Sequence, residues 1–416
     1  MRKHRERPGL PPIIRAEVTG RHFSLRVILL ACTATLALLG LGYGLFSLLN
    51  GDPGWQTVEY VGNEKNVSEE FILRYDYGSS GASASVERKM VSDLFSDLME
   101  QGYLAFSIEE HSDSCHNLAY LNDHLNQPVS LDPMLYEALT QLKAHESRYA
   151  YLAPAYGEYQ RLMHAESQGE AAAYDPGQNP ELSAYLLELS AFANDPAHID
   201  VELLGQGQAV VHVSDAYLQY AAENELETLV DVGWLRNAFL TDYVADRMAE
   251  QGLVQGYLVS YDGFTRNLDA SGRAYNQNVF DRLGRELNLP AVLSYEGPMS
   301  LVSLRNYPMG AQDRWHYYAM PEEYITVFLD PADGRSKSST DNLLCYSQSK
   351  SCTEILLETA PLFIAEELDE AALSHLAERE IFSVWGVGTT LRYTQPGAKL
   401  ALTEEMAQTY VLEQYG

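Results

Sequence analysis

Residues 231–242 read Asp-Val-Gly-Trp-Leu-Arg-Asn-Ala-Phe-Leu-Thr-Asp. An Asp-x-Gly turn opens the stretch and a second acid, Asp242, closes it. Leu235, Phe239 and residues 245–248 recur at helical spacing, so the stretch predicts a turn that delivers the chain into a helix. A strand follows, Gly256-Tyr257-Leu258-Val259-Ser260, and it ends in Tyr261-Asp262-Gly263. Residues 324–329 form another expected strand, ending in Asp330-Pro331-Ala332-Asp333-Gly334. Acids and glycines at strand ends are turn residues first and candidate site residues second.

Working outward, helices and strands interleave without a regular rhythm. Val86, Met90, Leu94 and Leu98 predict an amphipathic helix with Ser85 as its cap. Asp132-Pro133 before Leu135, Leu139 and Leu142 predicts another, with Asp at the N-cap and Pro in the first turn. Residues 167–181 carry no periodicity and read as a surface loop, whereas Val210–Val213, Leu343–Tyr346 and Phe382–Trp385 read as strands. Thr353–Ala360 reads as a short helix capped by Cys352 or Thr353 and stopped by Pro361. Such irregular alternation predicts an α+β protein rather than a doubly wound parallel sheet.

Composition narrows the function. The 416 residues carry 58 acidic against 28 basic side chains, a net charge of -30. A surface this acidic repels phosphate backbones, which argues against a nucleic-acid partner. Four cysteines in so long a chain exclude a disulfide scaffold. The chain has no P-loop, no Gly-x-Gly-x-x-Gly after a strand, no Gly-x-Ser-x-Gly elbow and no His-Glu-x-x-His.

The amino terminus breaks the acidic pattern. Residues 1–26 hold Arg2, Lys3, Arg5, Arg7, Arg15, Arg21 and Arg26 against only Glu6 and Glu17, and Val27–Asn50 has no charge at all. That run is long enough to cross a bilayer. Basic residues ahead of it predict a cytoplasmic tail at 1–26, a single membrane helix at 27–50 and an extracytoplasmic body at 51–416. A cleaved signal peptide is the alternative. Only a few apolar residues precede Cys32, while many follow it. That distribution suits an anchor.

Glu354 and Glu358 stand four apart on an expected helix and so project from one face. Two readings fit them: a solvated acidic face, or a pair of oxygen ligands for a hard cation such as Mg²⁺.

In this order the pieces resemble the FAD:protein FMN transferases, the ApbE-like family, over roughly residues 57–395. The family's Asp-Leu-Gly-Gly-x-Ala-Lys-Gly-Tyr-x-x-Asp falls without a gap on Asp231–Asp242. Its earlier signals resemble Leu121-Asn122, Pro128-Val129-Ser130 and Tyr151–Gly157, and its later ones resemble Gly252–Gly263, Val327–Gly334 and Glu354–Glu358. The resemblance implies a membrane-anchored enzyme that binds FAD with Mg²⁺ and moves FMN onto a Ser or Thr of an exported flavoprotein. It implies Glu354 and Glu358 as metal ligands, aided by a backbone carbonyl near Arg236. Asp330 would then lie by the pyrophosphate, with Asp231, Arg236, Asn237, Asp262 and Gly263 lining the flavin cleft.

The departures from the pattern are concentrated at charge and at glycine. The motif lysine is Asn237, so Arg236 or Arg335 is left to supply a cation, and the motif histidine is Val327. The second glycine is Trp234, and Asp262 replaces the first glycine of the later pair. These changes leave a second expectation open, an inactive relative that serves as an extracytoplasmic binding or scaffold protein. Ser80-Gly81-Ala82-Ser83 resembles the sequence such transferases modify, which makes Ser83 a candidate acceptor against the plain reading of a small-residue turn. Outside the cytoplasm Cys345 and Cys352 are candidates for a disulfide, with Cys115 left single.

Overall fold

The strand Asn342–Ser347, Asn-Leu-Leu-Cys-Tyr-Ser, is buried at every position. A strand can be apolar without alternation only when both faces of its sheet are covered. It lies in a nine-stranded sheet. The computed structural model describes residues 53–416 apart from 82, 113–114, 311–315, 321–323 and 395–397, together with Thr33 and Thr35. The expected basic tail and membrane span at 1–50 thus lie outside the described residues, but for those two threonines. Among the described residues no helix is long and apolar enough to cross a membrane.

The strands of the large sheet are β1 (Gly54–Thr57), β2 (Phe71–Tyr77), β3 (Gly256–Ser260), β4 (Phe264–Asn267) and β5 (Met299–Arg305), then β6 (Asn342–Ser347), β7 (Phe382–Val387), β8 (Thr390–Tyr393) and β9 (Val411–Gln414). They stand side by side in chain order. Neighbours pair antiparallel except β8 with β9, which is parallel. The residues between β2 and β3 supply most of the helical layer, including α1 (Ala84–Ala105), α2 (Pro133–Ala144) and α3 (Arg236–Glu250). After β6 comes α4 (Cys352–Phe363). On one face of the sheet α3 packs on β4 and on α4, and α4 packs on β5. Val302, Leu343, Cys345 and Trp385 point to that side. Leu301, Leu344, Tyr346 and Val384 point the other way, where they meet Val279, Ala291 and Leu293 of a three-stranded sheet. That smaller sheet comprises Ala274–Leu283, Glu286–Glu296 and Lys399–Leu402. The α+β expectation therefore holds, with the central antiparallel sheet as the shared wall of two cores.

Several local expectations change. Asp132 caps α2 as anticipated, accepting Met134 N at 2.9 Å. In α1, however, Val86 is 53% and Met90 43% exposed, and the buried stripe is Val91, Phe95, Leu98 and Met99. A strict four-residue step overshoots the helical turn by about 40° each time, so a stripe drawn at that step leaves the core face. The helix is set by Gly102 instead, where a Cβ would lie 2.4 Å from Leu240 Cδ2. Residues 167–181 are not a loop: Ser167 caps Gln168–Tyr174, and Asn179 with Pro180 starts Pro180–Asn194. The alanine run 171–173 supplies the helical propensity that periodicity did not reveal. The strand expected at 324–329 is regular only over Tyr324–Thr326.

The expected disulfide is absent. Cys345 and Cys352 are free and buried, as is Cys115. Cys345 Sγ lies 3.3 Å from Ser383 Oγ, and Cys352 Sγ donates to Thr265 O at 3.2 Å. Each thiol has been absorbed into the packing of a different strand. Burial also pushes both thiols upward, Cys345 to about 12, so neither is poised to act as a thiolate.

The start of α4 is fixed by a buried acid from another helix. Asp242 of α3 accepts Cys352 N at 2.9 Å on Oδ1 and Thr353 N at 2.7 Å on Oδ2. Arg266 of β4 donates to Asp242 Oδ1 at 3.0 Å. Ser351 and Glu354 complete the end as a capping box, so the cap lies one residue before Cys352 and two before Thr353, the candidates read from sequence. The helix also runs through Pro361 to Phe363, because the proline comes in its last turn and Phe363 is fully buried. Removing one partner of a buried charged network costs about 3–5 kcal/mol. Asp242→Ala is therefore expected to lower the unfolding free energy by about that amount, read from the urea midpoint of the full-length protein. A loss below about 1 kcal/mol would show that α3 and α4 are held by apolar packing alone.

Candidate functional site

Residues 231–236 of the quoted stretch form one lip of a broad cleft. Asn122 prepares it: its Oδ1 accepts Leu229 N and Val230 N at 2.9 and 3.0 Å, and its Nδ2 donates to Val230 O at 2.9 Å. That clamp presents Asp231, whose Oδ1 accepts Gly233 N at 3.1 Å. Gly233 takes a φ of +46°, which a side chain would resist, and a short 3-10 turn then leads into α3. Burial pushes the Asp231 carboxyl above its usual range, against the opposing pull of the Gly233 amide and of Arg236.

The cleft encloses about 510 Å³, and its walls include Tyr156, Arg161, Asp231, Trp234, Arg236 and His316. Trp234 is 6% exposed and fills the floor where the family pattern has glycine. Its Nε1 donates to Tyr156 OH at 3.1 Å, and its ring meets Tyr149 and Phe328 edge-on at 5.5 and 5.1 Å. Val327, at the motif's histidine position, lines the same cleft. An imidazole is present after all, on His316, whose backbone carbonyl accepts Val327 N at 3.2 Å. No motif marks His316 in the sequence.

Beside the cleft lies a knot of polar side chains. Asn237 Nδ2 donates to Asp262 Oδ2 at 3.0 Å and to Glu70 Oε2 at 2.8 Å. Arg236 pairs with the same Glu70 oxygen and donates through Nε to Asn237 Oδ1 at 3.2 Å. Asp262 Oδ1 is buried and has no hydrogen-bond partner within normal distance among the described residues. Burial raises the Asp262 carboxyl, and the Glu70 charge adds to the rise, while His316, Ser260 and Arg236 oppose it. Gly263 has a φ of +117°, and a Cβ there would lie 2.4 Å from Ser303 O, so the turn after Asp262 admits only glycine.

The remaining candidates do not gather at this cleft. Glu354 lines a separate cavity between α2, α3 and α4 with Glu137, Asp242 and Asp246. Its Oε2 accepts Ser351 N at 2.9 Å and its Oε1 accepts Lys350 Nζ at 3.2 Å. These bonds hold its carboxyl below the usual range despite partial burial. Glu358 is gripped by Arg379 at 3.0 and 2.5 Å, with His145 at 3.7 Å. All four carboxylate oxygens are thus committed to protein donors. The two carboxylates turn to separate partners and do not converge on one point as a shared Mg²⁺ would need, and among the described residues no group of three or more His, Cys, Asp or Glu side chains is placed to hold a metal ion.

Asp330 lines a third cavity with His145 and Tyr149. Its Oδ1 caps its own turn at Ala332 N and its Oδ2 pairs with Lys337, each at 2.8 Å. Arg335 donates to Ser183 Oγ at 2.6 Å rather than standing in for the missing lysine. Ser83 stands at the N-terminal boundary of α1, its Oγ 3.4 Å from Ser85 Oγ.

Two solved structures share this architecture. The ApbE protein from Thermotoga maritima superposes with a TM-score of 0.53 at 10% identity, covering 86% of this chain and 100% of its own. The flavin transferase ApbE from Vibrio cholerae gives 0.50 at 12% identity over the same shares. No protein-family model matches the chain, and no curated protein does. At these identities the likeness establishes the fold. The chain is a strongly diverged form of the ApbE-like α+β architecture.

The desolvated Asp262 carboxyl makes a pH signature. A raised folded-state value means that the folded protein holds its proton longer than the unfolded chain. The associated stability is complete below about pH 4, where both states are protonated, and is lost as pH rises toward the folded-state value. Asp262→Asn removes this loss while keeping an oxygen for Asn237. The variant is expected to gain on the parent protein in thermal midpoint between about pH 4 and pH 7. A gap that stays constant with pH would contradict the assignment.

Proposed function

We propose that the protein is a flavin-transferase-like protein whose 231–236 cleft takes FAD. One observation carries the reading: in a chain with the ApbE-like fold, Asp231, Gly233, Trp234 and Arg236 line one cleft of about 510 Å³. The volume falls in the range typical of small-molecule sites, roughly 300–1,000 Å³. Tyr156 and Trp234 offer aromatic surface for a flavin or adenine ring, while Arg161 and Arg236 offer cations for phosphate.

In the transferase form of this reading, a Ser or Thr hydroxyl of an exported protein attacks the FMN phosphorus. A new O–P bond forms, the P–O bond to AMP breaks, and AMP leaves. Asp231, with its raised carboxyl in the cleft wall, is the group placed to receive the hydroxyl proton. Arg236 would steady the phosphoryl oxygens. No step is assigned to Glu354 or Glu358. The uncharged Val27–Asn50 and the basic residues before it support a membrane-anchored protein with its body outside the cytoplasm.

A second reading, a binder that performs no transfer, is favoured by one specific observation. The side chains at 236 and 237 already satisfy each other and Glu70. The two readings separate in one experiment with the full-length protein, FAD and Mg²⁺. FAD binding with a dissociation constant on the order of 10 μM is expected from either. Release of AMP, and a fluorescent flavin band on an exported protein after denaturing electrophoresis, identifies the transferase. Binding without AMP identifies the binder. Failure of FAD to bind removes both.

A further inference from the structure

Glu70 lies outside every motif, on the turn Ser68–Glu70 that leads into β2. The chain separates it from Arg236 by 166 residues. Its carboxylate nevertheless receives the Arg236 guanidinium and, at 2.8 Å, the Asn237 amide. Its backbone carbonyl accepts Tyr261 N at 3.0 Å, which fixes the turn against the Asp262 loop. One acid therefore answers both donors of the 236–237 position, where a nucleotide-binding cleft needs them for phosphate.

We propose that Glu70 is an internal counter-ion that competes with phosphorylated ligands for Arg236 and so sets how tightly this cleft holds them. The inference deepens the flavin-nucleotide reading and rests on it for the identity of the ligand. The side chains of Arg236 and Glu70 are 30% and 40% exposed. An ion pair with that much solvent contact is weak enough to exchange. What replaces Glu70 must do better than a carboxylate. An uncharged ring system gains nothing from Arg236 and leaves the pair intact. A ligand carboxylate exchanges like for like. A phosphate ester or pyrophosphate brings more charge and presents several oxygens to the planar guanidinium, so it displaces Glu70 with a net gain. Glu70 thereby weakens the binding of phosphorylated ligands and leaves that of their unphosphorylated counterparts unchanged. Glu70 is a positioning residue in this account, acting through Arg236.

Titration calorimetry of the full-length protein tests it, with FAD, riboflavin and inorganic pyrophosphate as separate probes. Glu70→Gln keeps the shape and removes the charge. It is expected to bind FAD and pyrophosphate about tenfold tighter than the parent protein, with riboflavin unchanged. Adding Arg236→Gln to the variant is expected to abolish the gain. Glu70→Ser gives the same reading where the glutamine variant does not fold. Two results overturn the proposal: pyrophosphate bound no more tightly by either Glu70 variant, or a gain that survives loss of Arg236. Tighter pyrophosphate binding with no FAD binding by any of the proteins supports the role of Glu70 and removes the flavin reading.

Discussion

The fold turns on a carboxylate that has been taken out of water and made to serve two helices. Asp242, 8% exposed, ends the motif stretch in α3, yet its two oxygens satisfy the first amides of α4 and one of them also meets Arg266 of β4. The unsatisfied amides of a helix start carry partial positive charge, so a buried anion is stabilised there by charge and by hydrogen bonding at once. This single group ties the helical layer to the sheet. It also sets the axial position of α3 and hence where the preceding turn, with Asp231, Gly233 and Arg236, emerges at the cleft.

The charges at the candidate positions follow another logic, in which each already has a protein partner. Glu354 belongs to the capping box of α4, Glu358 to Arg379, Asp330 to Lys337, and Arg236 to Glu70. Where the ApbE-like pattern gathers oxygen ligands and a lysine, this chain has closed ion pairs and an aromatic floor at Trp234. The chain is strongly acidic, and local pairing with Lys350, Arg379, Lys337 or Arg236 offsets the repulsion at these carboxylates.

Much of this was legible in residues 231–242, in Asp132-Pro133 and in the uniformly apolar strand around Leu343–Tyr346. These signals are local: a turn acid, a cap, a run of β-formers. The cap of α4 was legible too, since Ser351-Cys352-Thr353-Glu354 carries the Ser-x-x-Glu of a capping box, which assigns Glu354 to the helix start. The face of α1 was not, because it depends on Gly102 meeting Leu240. The cysteines could not be settled by sequence, since pairing depends on where β6 and α4 direct their side chains. Glu70 and His316 were out of reach for the same reason: each acts on residues distant in the chain, through contacts that no spacing encodes.

The carboxylates on α4 are held by protein donors, and the proposed ligand site lies beside Arg236. A crystal structure of the full-length protein grown with FAD and Mg²⁺ tests it most directly. The expected result is nucleotide density in the cleft bounded by Tyr156, Trp234 and Arg236, with Glu354 still on Lys350 and Ser351 and Glu358 still on Arg379. A metal ion bridging Glu354 and Glu358, with those partners released, would contradict it.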